Sequence, residues 1–226
     1  MIQSTSKRCE PLNDETPHTM PSDAPVRQAA ILAGGAGSRI GGGKPHRRLG
    51  DRSLLDRVSD ALAERFPRPI LSLAAGQSEP NDWPGEVVRD AGGGEGPLRA
   101  LEAIFDRMAR TDSAGRVLVL ACDYPLATAE VVAWLCDRVA KHPAAEAWIP
   151  VVDGRRQTLA AVYSLSVLPT LRKHLAAGER KLGRFVDTLA ARELDADGFA
   201  AQFANINTPE QLASAEATLR GRGEGS

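Results

Sequence analysis

The sequence lacks the marks of exported and membrane-spanning proteins. It has only three cysteines, Cys9, Cys122 and Cys136. Their odd number and the lack of a CxxC pair predict neither a disulfide framework nor a zinc knuckle. No apolar run approaches the roughly 20 residues that a membrane helix needs, and no apolar segment of the signal-peptide type opens the chain. We therefore expect a cytoplasmic protein that makes no membrane contact.

A strong charge of one sign is also missing. The formal net charge is -1, whereas a protein that coats nucleic acid or an anionic membrane carries a clustered positive excess. We expect no nucleic-acid partner, and any anionic ligand has to be bound locally. The 226 residues are 42% hydrophobic, which is enough for one sizeable core.

Apolar patterning is absent from both ends of the chain. Residues 1–25 contain four prolines and many Ser, Thr, Asp and Glu residues, so they bury too little apolar surface to offset the entropy of ordering. Residues 221–226 are rich in glycine. We predict a flexible N-terminal tail over 1–25, one domain over 26–220 and a loose C-terminal tail over 221–226.

Between the tails, apolar runs alternate with helical patterns. Strands are predicted near 28–32, 70–74, 86–89, 116–122, 147–151 and 158–164, and helices from Ser53, from Pro97, over 128–140, 166–176 and 182–191, and from Thr208. The run RVLVLAC at 116–122 is apolar along its length, as in a central parallel strand covered on both faces. The pattern predicts an α/β protein with three layers, a Rossmann-like arrangement around a mostly parallel sheet, whose ligands bind at the carboxyl ends of the strands.

A glycine-rich segment, AILAGGAGSRIGGGKP at residues 30–45, directly follows the first predicted strand. The P-loop pattern GxxxxGK[ST] fails because Ser38 stands at its first glycine and Pro45 at its hydroxyl position, and neither start of GxGxxG finds its third glycine. A longer loop remains, whose exposed N–H groups can surround phosphate oxygens while Arg39 and Lys44 add positive charge. The segment predicts a polyphosphate site.

Four segments in order carry a resemblance to a known family. LAGGAGSRIGGGK is similar to the LAGGxSxRMGxxK motif of the MobA-like nucleotidyltransferases. RDAGGGEGPLRAL resembles their D-x(n)-GPLxG region, LACDYPL their CDMP segment and NINTPEQL their NxNTPEDL segment. Together these segments span about residues 31–212. The resemblance implies the Rossmann-like nucleotidyltransferase fold.

The resemblance also implies an activity and its substrates. A molybdenum cofactor guanylyltransferase joins GMP from GTP to the phosphate of molybdopterin and releases pyrophosphate. Guanine rather than cytosine is implied by LAGG, since cytidylyl relatives look more like LAAG. The alternatives are a cytidylyltransferase that uses CTP, a sugar-phosphate nucleotidyltransferase, and a non-catalytic escort that binds molybdopterin. Transient contact with molybdoenzymes or other cofactor-assembly proteins is expected in each molybdenum cofactor case.

Two carboxylates follow predicted strands. Asp123 comes directly after the apolar strand at 116–122, where one carboxylate, water and substrate phosphates can hold Mg²⁺. The resemblance implies the same metal role. Asp90 also ends a strand, and the resemblance implies that it binds the nucleotide. Simple turn chemistry is the alternative for Asp123 and a solvated loop for Asp90.

The glycine loop supplies the remaining predicted contacts. Arg39 and Lys44 would bind the triphosphate and stabilise the charge that grows on the leaving pyrophosphate. The backbone would approach the base and the phosphates at Leu32, Ala33, Gly34 and Gly35. The predicted catalytic set is therefore Arg39, Lys44 and Asp123.

Two further segments have open interpretations. Asn205 and Asn207 alternate, so both could face the site from a short strand, or they could form an Asx turn before the last helix. By analogy with the family, DGRRQTLAAVYS is the acceptor region, with Arg155, Arg156 and Gln157 available for the pterin or its phosphate. The alternative is a solvated, charged hairpin tip.

The sequence departs from the family pattern at several positions. Ala75 stands where an asparagine is usual after the second strand, so one side-chain contact to the nucleotide is lost or is replaced by Gln77. The acceptor motif usually reads Gln-Pro or His-Pro and here reads Gln157-Thr158. Ile40 replaces a methionine and leaves the neighbouring Arg39 in place.

Overall fold

The computed structural model describes residues 26–34, 46–90, 96–111 and 115–221. The predicted tail at 1–25 lies outside these ranges. So does the predicted tail at 221–226, except that Gly221 is the last residue of the final helix.

The described residues form ten strands and six α-helices. The strands are β1 (Gln28–Leu32), β2 (Arg48–Leu49), β3 (Arg52–Ser53), β4 (Ile70–Leu73), β5 (Val87–Arg89), β6 (Arg116–Ala121), β7 (Ala147–Val152), β8 (Arg155–Arg156), β9 (Ala160–Ser164) and β10 (Ala191–Asp195). The helices are α1 (Leu54–Ala63), α2 (Pro97–Met108), α3 (Ala129–Lys141), α4 (Leu168–Ala176), α5 (Leu182–Val186) and α6 (Pro209–Gly221). None of these described helices is long and apolar enough to cross a membrane.

The main sheet has the strand order β10-β7-β9-β6-β1-β4-β5, with β8 paired to β7. β1 is parallel to β4 on one side and to β6 on the other, β5 is parallel to β4, and β10 is parallel to β7. β9 is the reversed strand, antiparallel to both β6 and β7. The predicted mostly parallel α/β sheet is therefore confirmed.

Both faces of this sheet are covered. Every residue of β6 from Val117 to Ala121 is buried, which requires packing on both sides of the strand. The helices supply it as two contacting pairs, α1 with α3 and α2 with α4. Their apolar residues recur at helical spacing, as in α2, where the set is Leu98, Leu101, Ile104, Phe105 and Met108. This confirms the predicted three layers.

The strand directions gather several chain turns at one edge. β7 has the same direction as β6 because both are antiparallel to β9. The carboxyl ends of β1, β4, β5, β6 and β7 therefore lie along a single edge of the sheet. The chain leaves β1 towards β4 and later returns to β6 on its other side, so the strand order reverses at β1. A crevice for a ligand is expected at this point of reversal.

The predicted helix that follows α4 was too long. The helix predicted over 182–191 ends at Val186, and residues 191–195 form β10. β10 is an edge strand in which only Leu194 is buried, so it lacks the apolar alternation that marks a strand. Of the two open interpretations of Asn205 and Asn207, the short strand is excluded, because this segment is not a strand. Its shape comes from contacts with other parts of the chain rather than from pairing in a sheet.

The predicted start of α1 at Ser53 is confirmed, and Ser53 is its N-cap. Ser53 Oγ accepts a hydrogen bond from the N–H of Asp56 at 3.0 Å, and Asp56 Oδ2 accepts one from the N–H of Ser53 at 3.3 Å. These bonds form a capping box, which satisfies two N–H groups that the helix itself leaves unpaired.

Replacing Ser53 with alanine is expected to lower the free energy of unfolding by about 1 kcal/mol, because the Asp56 N–H loses its acceptor. Urea denaturation followed by circular dichroism would measure the change. Ser59→Ala, inside the same helix, is the control, since it removes a hydroxyl without touching the cap. Equal midpoints for Ser53→Ala and the wild type would contradict the role of the cap.

Candidate functional site

Backbone hydrogen bonds join the carboxyl ends of β1 and β6. The N–H of Cys122 donates to the carbonyl of Leu32 at 3.0 Å, and the N–H of Ala121 donates to the carbonyl of Leu159 at 2.8 Å. The end of β6 is therefore tied to β1 on one side and to the start of β9 on the other. This fixes the chain immediately before Asp123.

The first residues of the glycine loop are also tied down. The N–H groups of Ala33 and Gly34 both donate to the carbonyl of Ser72 in β4, at 2.9 and 3.1 Å. A Cβ atom added at Gly34 would lie 3.1 Å from the backbone nitrogen of Ala74, so a side chain would force this close approach apart. At the positions predicted to approach the ligand, the N–H groups of Ala33 and Gly34 and the carbonyl of Leu32 thus already form hydrogen bonds within the protein.

The Gln77 side chain joins the two loops that flank this edge. Its Oε1 accepts a hydrogen bond from the N–H of Ala74 at 2.6 Å, and its Nε2 donates to the carbonyl of Ala33 at 3.2 Å. Gln77 therefore uses its amide on backbone groups of both loops. The structure gives Gln77 a different role from a contact to the nucleotide, because its side chain holds the base of the glycine loop.

Arg89, at the end of β5, fixes the same loop from the other side. Its guanidinium donates to the carbonyl of Gln77 at 2.8 Å and pairs with Glu79 at 2.9 Å. Both charged side chains are about half exposed, so the ion pair itself adds little stability. Its effect is geometric, because it holds the loop at 74–79 against the strand that leads into Asp90.

Asp90 is buried at the carboxyl end of β5. Its residue is 5% exposed, its N–H donates to the carbonyl of Leu73 at 3.2 Å, and its Oδ1 has no hydrogen-bond partner within the described part of the chain. A buried carboxylate oxygen without a donor is costly. Such an atom is suited to accept a hydrogen bond from a ligand.

Asp123 is the second buried carboxylate of this edge, with 8% of the residue exposed. Its carbonyl accepts a hydrogen bond from the N–H of Ile206 at 2.8 Å, and the next residue, Tyr124, donates its N–H to Ala121 at 3.1 Å. The turn after β6 is therefore held by the segment that precedes α6. Asp123 therefore lies at the carboxyl end of β6, and its metal role stays a prediction.

The two carboxylates act at different places. Asp90 follows β5 and Asp123 follows β6, which are three strand positions apart, or roughly 14 Å at the usual strand spacing. They cannot ligate one ion together. Within the described ranges, no three His, Cys, Asp or Glu side chains come together as a closed metal cage. A single carboxylate plus water and phosphate oxygens is the donor set that Mg²⁺ commonly uses.

Asn205 and Gln157 both contact the Tyr124 hydroxyl, and Asn207 contacts Asn205. The Tyr124 hydroxyl donates to Gln157 Oε1 at 3.2 Å, and Asn207 Nδ2 donates to Asn205 Oδ1 at 2.5 Å. Burial, followed by the charge of Asp123, raises the pKa of Tyr124, and a hydrogen bond from Asn205 opposes this rise. Tyr124 therefore remains a protonated donor at neutral pH. Both predicted asparagines lie next to the Asp123 turn, although on an irregular segment.

The three predicted acceptor residues have different surroundings. Arg156 is paired with Asp187 and Glu193 on the surface, so its guanidinium is engaged by other residues of the protein. Arg155 is exposed. Only Gln157 of this group contacts the Asp123 turn.

Three predicted site residues, Gly35, Arg39 and Lys44, lie outside the described residues, so their roles stay predictions. Sequence reasoning missed Tyr124 and Arg89. A signal for Tyr124 was available, because a phenol replaces methionine in the CDMP segment and a buried phenol usually needs a hydrogen-bond partner. No comparable signal marks Arg89.

A doubly wound sheet with a glycine-rich loop and buried carboxylates at its point of strand reversal defines a nucleotide-binding α/β protein. The match to known families is more specific. Residues 29–194 match the MobA-like NTP transferase domain, and the chain belongs to this family.

Curated relatives resemble nearly the whole chain. It is 30% identical over 200 residues to the molybdenum cofactor guanylyltransferase of Vibrio cholerae, covering 88% of this chain and 96% of the relative. It is 35% identical over 201 residues to the probable molybdenum cofactor guanylyltransferase of Deinococcus radiodurans, with the same coverage. The crystal structure of molybdopterin-guanine dinucleotide biosynthesis protein A from Archaeoglobus fulgidus has the same fold, with a TM-score of 0.67, 23% identity, and coverage of 86% of this chain and 99% of that one.

Gln77→Glu is expected to weaken the binding of a nucleoside triphosphate about tenfold, or about 1.4 kcal/mol. The carboxylate can still accept from Ala74, but it has no N–H for the carbonyl of Ala33 and repels that oxygen. Isothermal titration calorimetry would measure the affinity. Gln202→Glu, which makes the same charge change away from this edge, is the control. Unchanged affinity in Gln77→Glu would show that this bridge does not organise the loop.

Proposed function

We propose that this protein is a molybdenum cofactor guanylyltransferase, which transfers GMP from GTP to the phosphate of molybdopterin. The proposal is supported by the names of relatives that the chain covers almost completely and by the LAGG segment at residues 32–35. It is carried by one structural observation, the two buried carboxylates that flank the base of the glycine loop at the carboxyl ends of β5 and β6.

The reaction is an in-line displacement at phosphorus. A phosphate oxygen of molybdopterin forms a bond to the α-phosphorus of GTP, the bond from that phosphorus to the bridging oxygen breaks, and the electron pair leaves on pyrophosphate. Such a transfer depends on positioning and charge neutralisation rather than on a covalent enzyme intermediate. The sites described at this edge hold loops and carboxylates in fixed positions, which suits this requirement.

Asp123 fits the role of the Mg²⁺ ligand. Its carboxylate is buried beside the crevice and the turn that carries it is bonded to Ile206. When bound, Mg²⁺ neutralises phosphate charge and orients the phosphates for in-line transfer. We assign Arg39 and Lys44 to the triphosphate, where their positive charges would stabilise the departing pyrophosphate.

Asp90 fits nucleotide recognition rather than metal binding. A carboxylate only accepts hydrogen bonds when ionised, so its buried Oδ1 calls for a donor such as a base N–H or a ribose hydroxyl. The roughly 14 Å between the ends of β5 and β6 supports a contact separate from the Asp123 side. We therefore assign nucleoside recognition to the β4–β5 side and transfer to the β1–β6 side. The low cysteine content fits a cytoplasmic location, which we also propose.

The first experiment incubates the purified full chain with Mg²⁺, molybdopterin and GTP, CTP or ATP in separate reactions. Pyrophosphate release and mass spectrometry of the pterin report the product. A guanine dinucleotide formed with GTP supports the proposal. Product with CTP alone would make the protein a cytidylyltransferase, and pterin binding without product under all conditions would make it an escort.

Asp123→Asn is expected to lower kcat by about a hundredfold or more, because it removes the carboxylate charge from the metal ligand while keeping the side-chain shape. Far-UV circular dichroism would check that the fold is retained. Asp137→Asn, an exposed position on α3, is the matched control and should act like the wild type. Wild-type turnover in Asp123→Asn would remove the metal assignment.

Asp90→Asn is expected to weaken GTP binding about tenfold, since charge-assisted hydrogen bonds are worth about 1.5–3 kcal/mol, with little effect on kcat at saturating GTP. Equilibrium binding and steady-state kinetics separate the two effects. The exposed Asp82, in the same connection between β4 and β5, supplies the control Asp82→Asn. A fall in kcat with unchanged GTP affinity would assign Asp90 to the chemistry instead.

A further inference from the structure

A directed chain of hydrogen bonds passes through Tyr124. Asn207 Nδ2 donates to Asn205 Oδ1 at 2.5 Å, and the Asn205 side chain donates to the Tyr124 oxygen. The Tyr124 hydroxyl then donates to Gln157 Oε1 at 3.2 Å, and Gln157 Nε2 donates to the carbonyl of Arg155 at 3.0 Å. Asn205 and Gln157 each use the amide oxygen as acceptor and the amide nitrogen as donor, so one orientation of these two amides satisfies the chain.

Both ends of this chain are anchored in regular structure. The N–H of Asn207 donates to Gln211 Oε1 at 2.7 Å in the first turn of α6. At the other end, the N–H of Gln157 donates to the carbonyl of Pro150 in β7 at 2.8 Å. The chain therefore connects the start of α6 to the β7–β9 connection through a residue adjacent to Asp123. Tyr124 at the centre is buried, and Asn205, Asn207 and Gln157 around it are partly exposed. Hydrogen bonds that pass through a buried group favour one arrangement of its partners.

The residue at the centre departs from the family pattern. The CDMP segment has methionine where this chain has Tyr124. Methionine could fill the buried volume, but a thioether has no hydrogen to donate and accepts only weakly. The phenol thus adds two connections that methionine cannot make. Packing alone does not require them.

Residues 153–159 lie on the side of β1 opposite to β4 and β5. Gln77, Arg89 and Asp90 belong to the β4–β5 side, which is assigned to the nucleotide. The connection at residues 153–159 lies beyond β6, at the same carboxyl edge. In-line transfer requires the attacking and leaving groups on opposite sides of the phosphorus. The acceptor is therefore expected on the 153–159 side.

We propose that Tyr124 is a positioning residue, which holds residues 153–159 in place relative to Asp123 and thereby sets the affinity for the phosphate-bearing pterin acceptor, not for the nucleotide. This inference rests on the proposed guanylyltransferase function. Losing the hydroxyl leaves Gln157 and Asn205 without their shared partner, so the segment gains alternative positions and acceptor binding becomes weaker.

The test compares Tyr124→Phe, which keeps the ring, with the wild-type chain. Molybdopterin binding without nucleotide and GTP binding without pterin are each measured at equilibrium, so neither needs turnover. Molybdopterin binding is expected to weaken about fivefold to tenfold, in the range of one lost hydrogen bond, and GTP binding to stay within about twofold. Unchanged molybdopterin affinity, or an equal loss for both ligands, would overturn the proposal.

A double-mutant cycle with Gln157→Met separates positioning from general destabilisation. If Tyr124→Phe and Gln157→Met act through one bond, the double variant is expected to bind molybdopterin no more weakly than the worse single variant. Fully additive losses would overturn the coupling. Ser53→Ala combined with Tyr124→Phe is the control for simple destabilisation and should leave the molybdopterin affinity of Tyr124→Phe unchanged.

These measurements remain distinct from the test of the proposed function. A wild-type chain that binds molybdopterin but forms no product refutes guanylyl transfer, while the binding comparison still decides the role of Tyr124. A wild-type chain with GTP-dependent product and an unchanged Tyr124→Phe affinity refutes only the positioning role. If the wild type is active, Tyr124→Phe is expected to have a higher KM for the pterin and a nearly unchanged KM for GTP.

Discussion

The parallel pairing of β1 with β4 on one side and β6 on the other is the constraint on which the site depends. It aligns the strand ends, so the glycine loop begins between the turns that carry the remaining groups. The bonds from Ala33 and Gly34 to Ser72, and from Cys122 to Leu32, extend this pairing beyond the strands themselves. The residues directly after these strand ends are therefore held by backbone hydrogen bonds before any side chain contributes. Side chains such as Gln77 and Tyr124 then adjust the loops relative to one another.

The two buried carboxylates at this edge require cations if a polyphosphate binds beside them. A polyphosphate beside two buried carboxylates is repelled by them, and one pair of like charges 4 Å apart costs about 4 kcal/mol at an effective dielectric constant of 20. Cations between them reverse this balance. Asp123 gains such a cation if it holds Mg²⁺, and Arg39 and Lys44 would supply two more. Asp90 avoids the problem differently, since its distance from the transfer side suits an uncharged donor of the nucleoside.

The predictability of this structure from sequence depended on how local each signal was. The apolar run at 116–122 predicted the central strand, and Ser53 before an apolar helical pattern predicted the start of α1, because both signals come from neighbouring residues. β10 was missed because an edge strand with one buried residue, Leu194, has no periodic pattern. The positions of Asp90 and Asp123 followed from strand ends. The contacts of Gln77 and Tyr124 did not, since their partners lie 44 and 33 residues away in the chain.

Two of the departures from the family pattern, at Gln77 and Tyr124, have a common physical basis. A loop that must hold a ligand can be fixed by the ligand itself or by the protein before the ligand arrives, and only the second arrangement lowers the ordering cost of binding. Gln77 bonds Ala33 and Ala74, and Tyr124 bonds Gln157. Gln77 and Tyr124 therefore bond to other parts of the protein, although each lies next to the site where a ligand is expected. The protein thus fixes residues 74–79 on the proposed nucleotide side and residues 153–159 on the proposed acceptor side before a ligand binds.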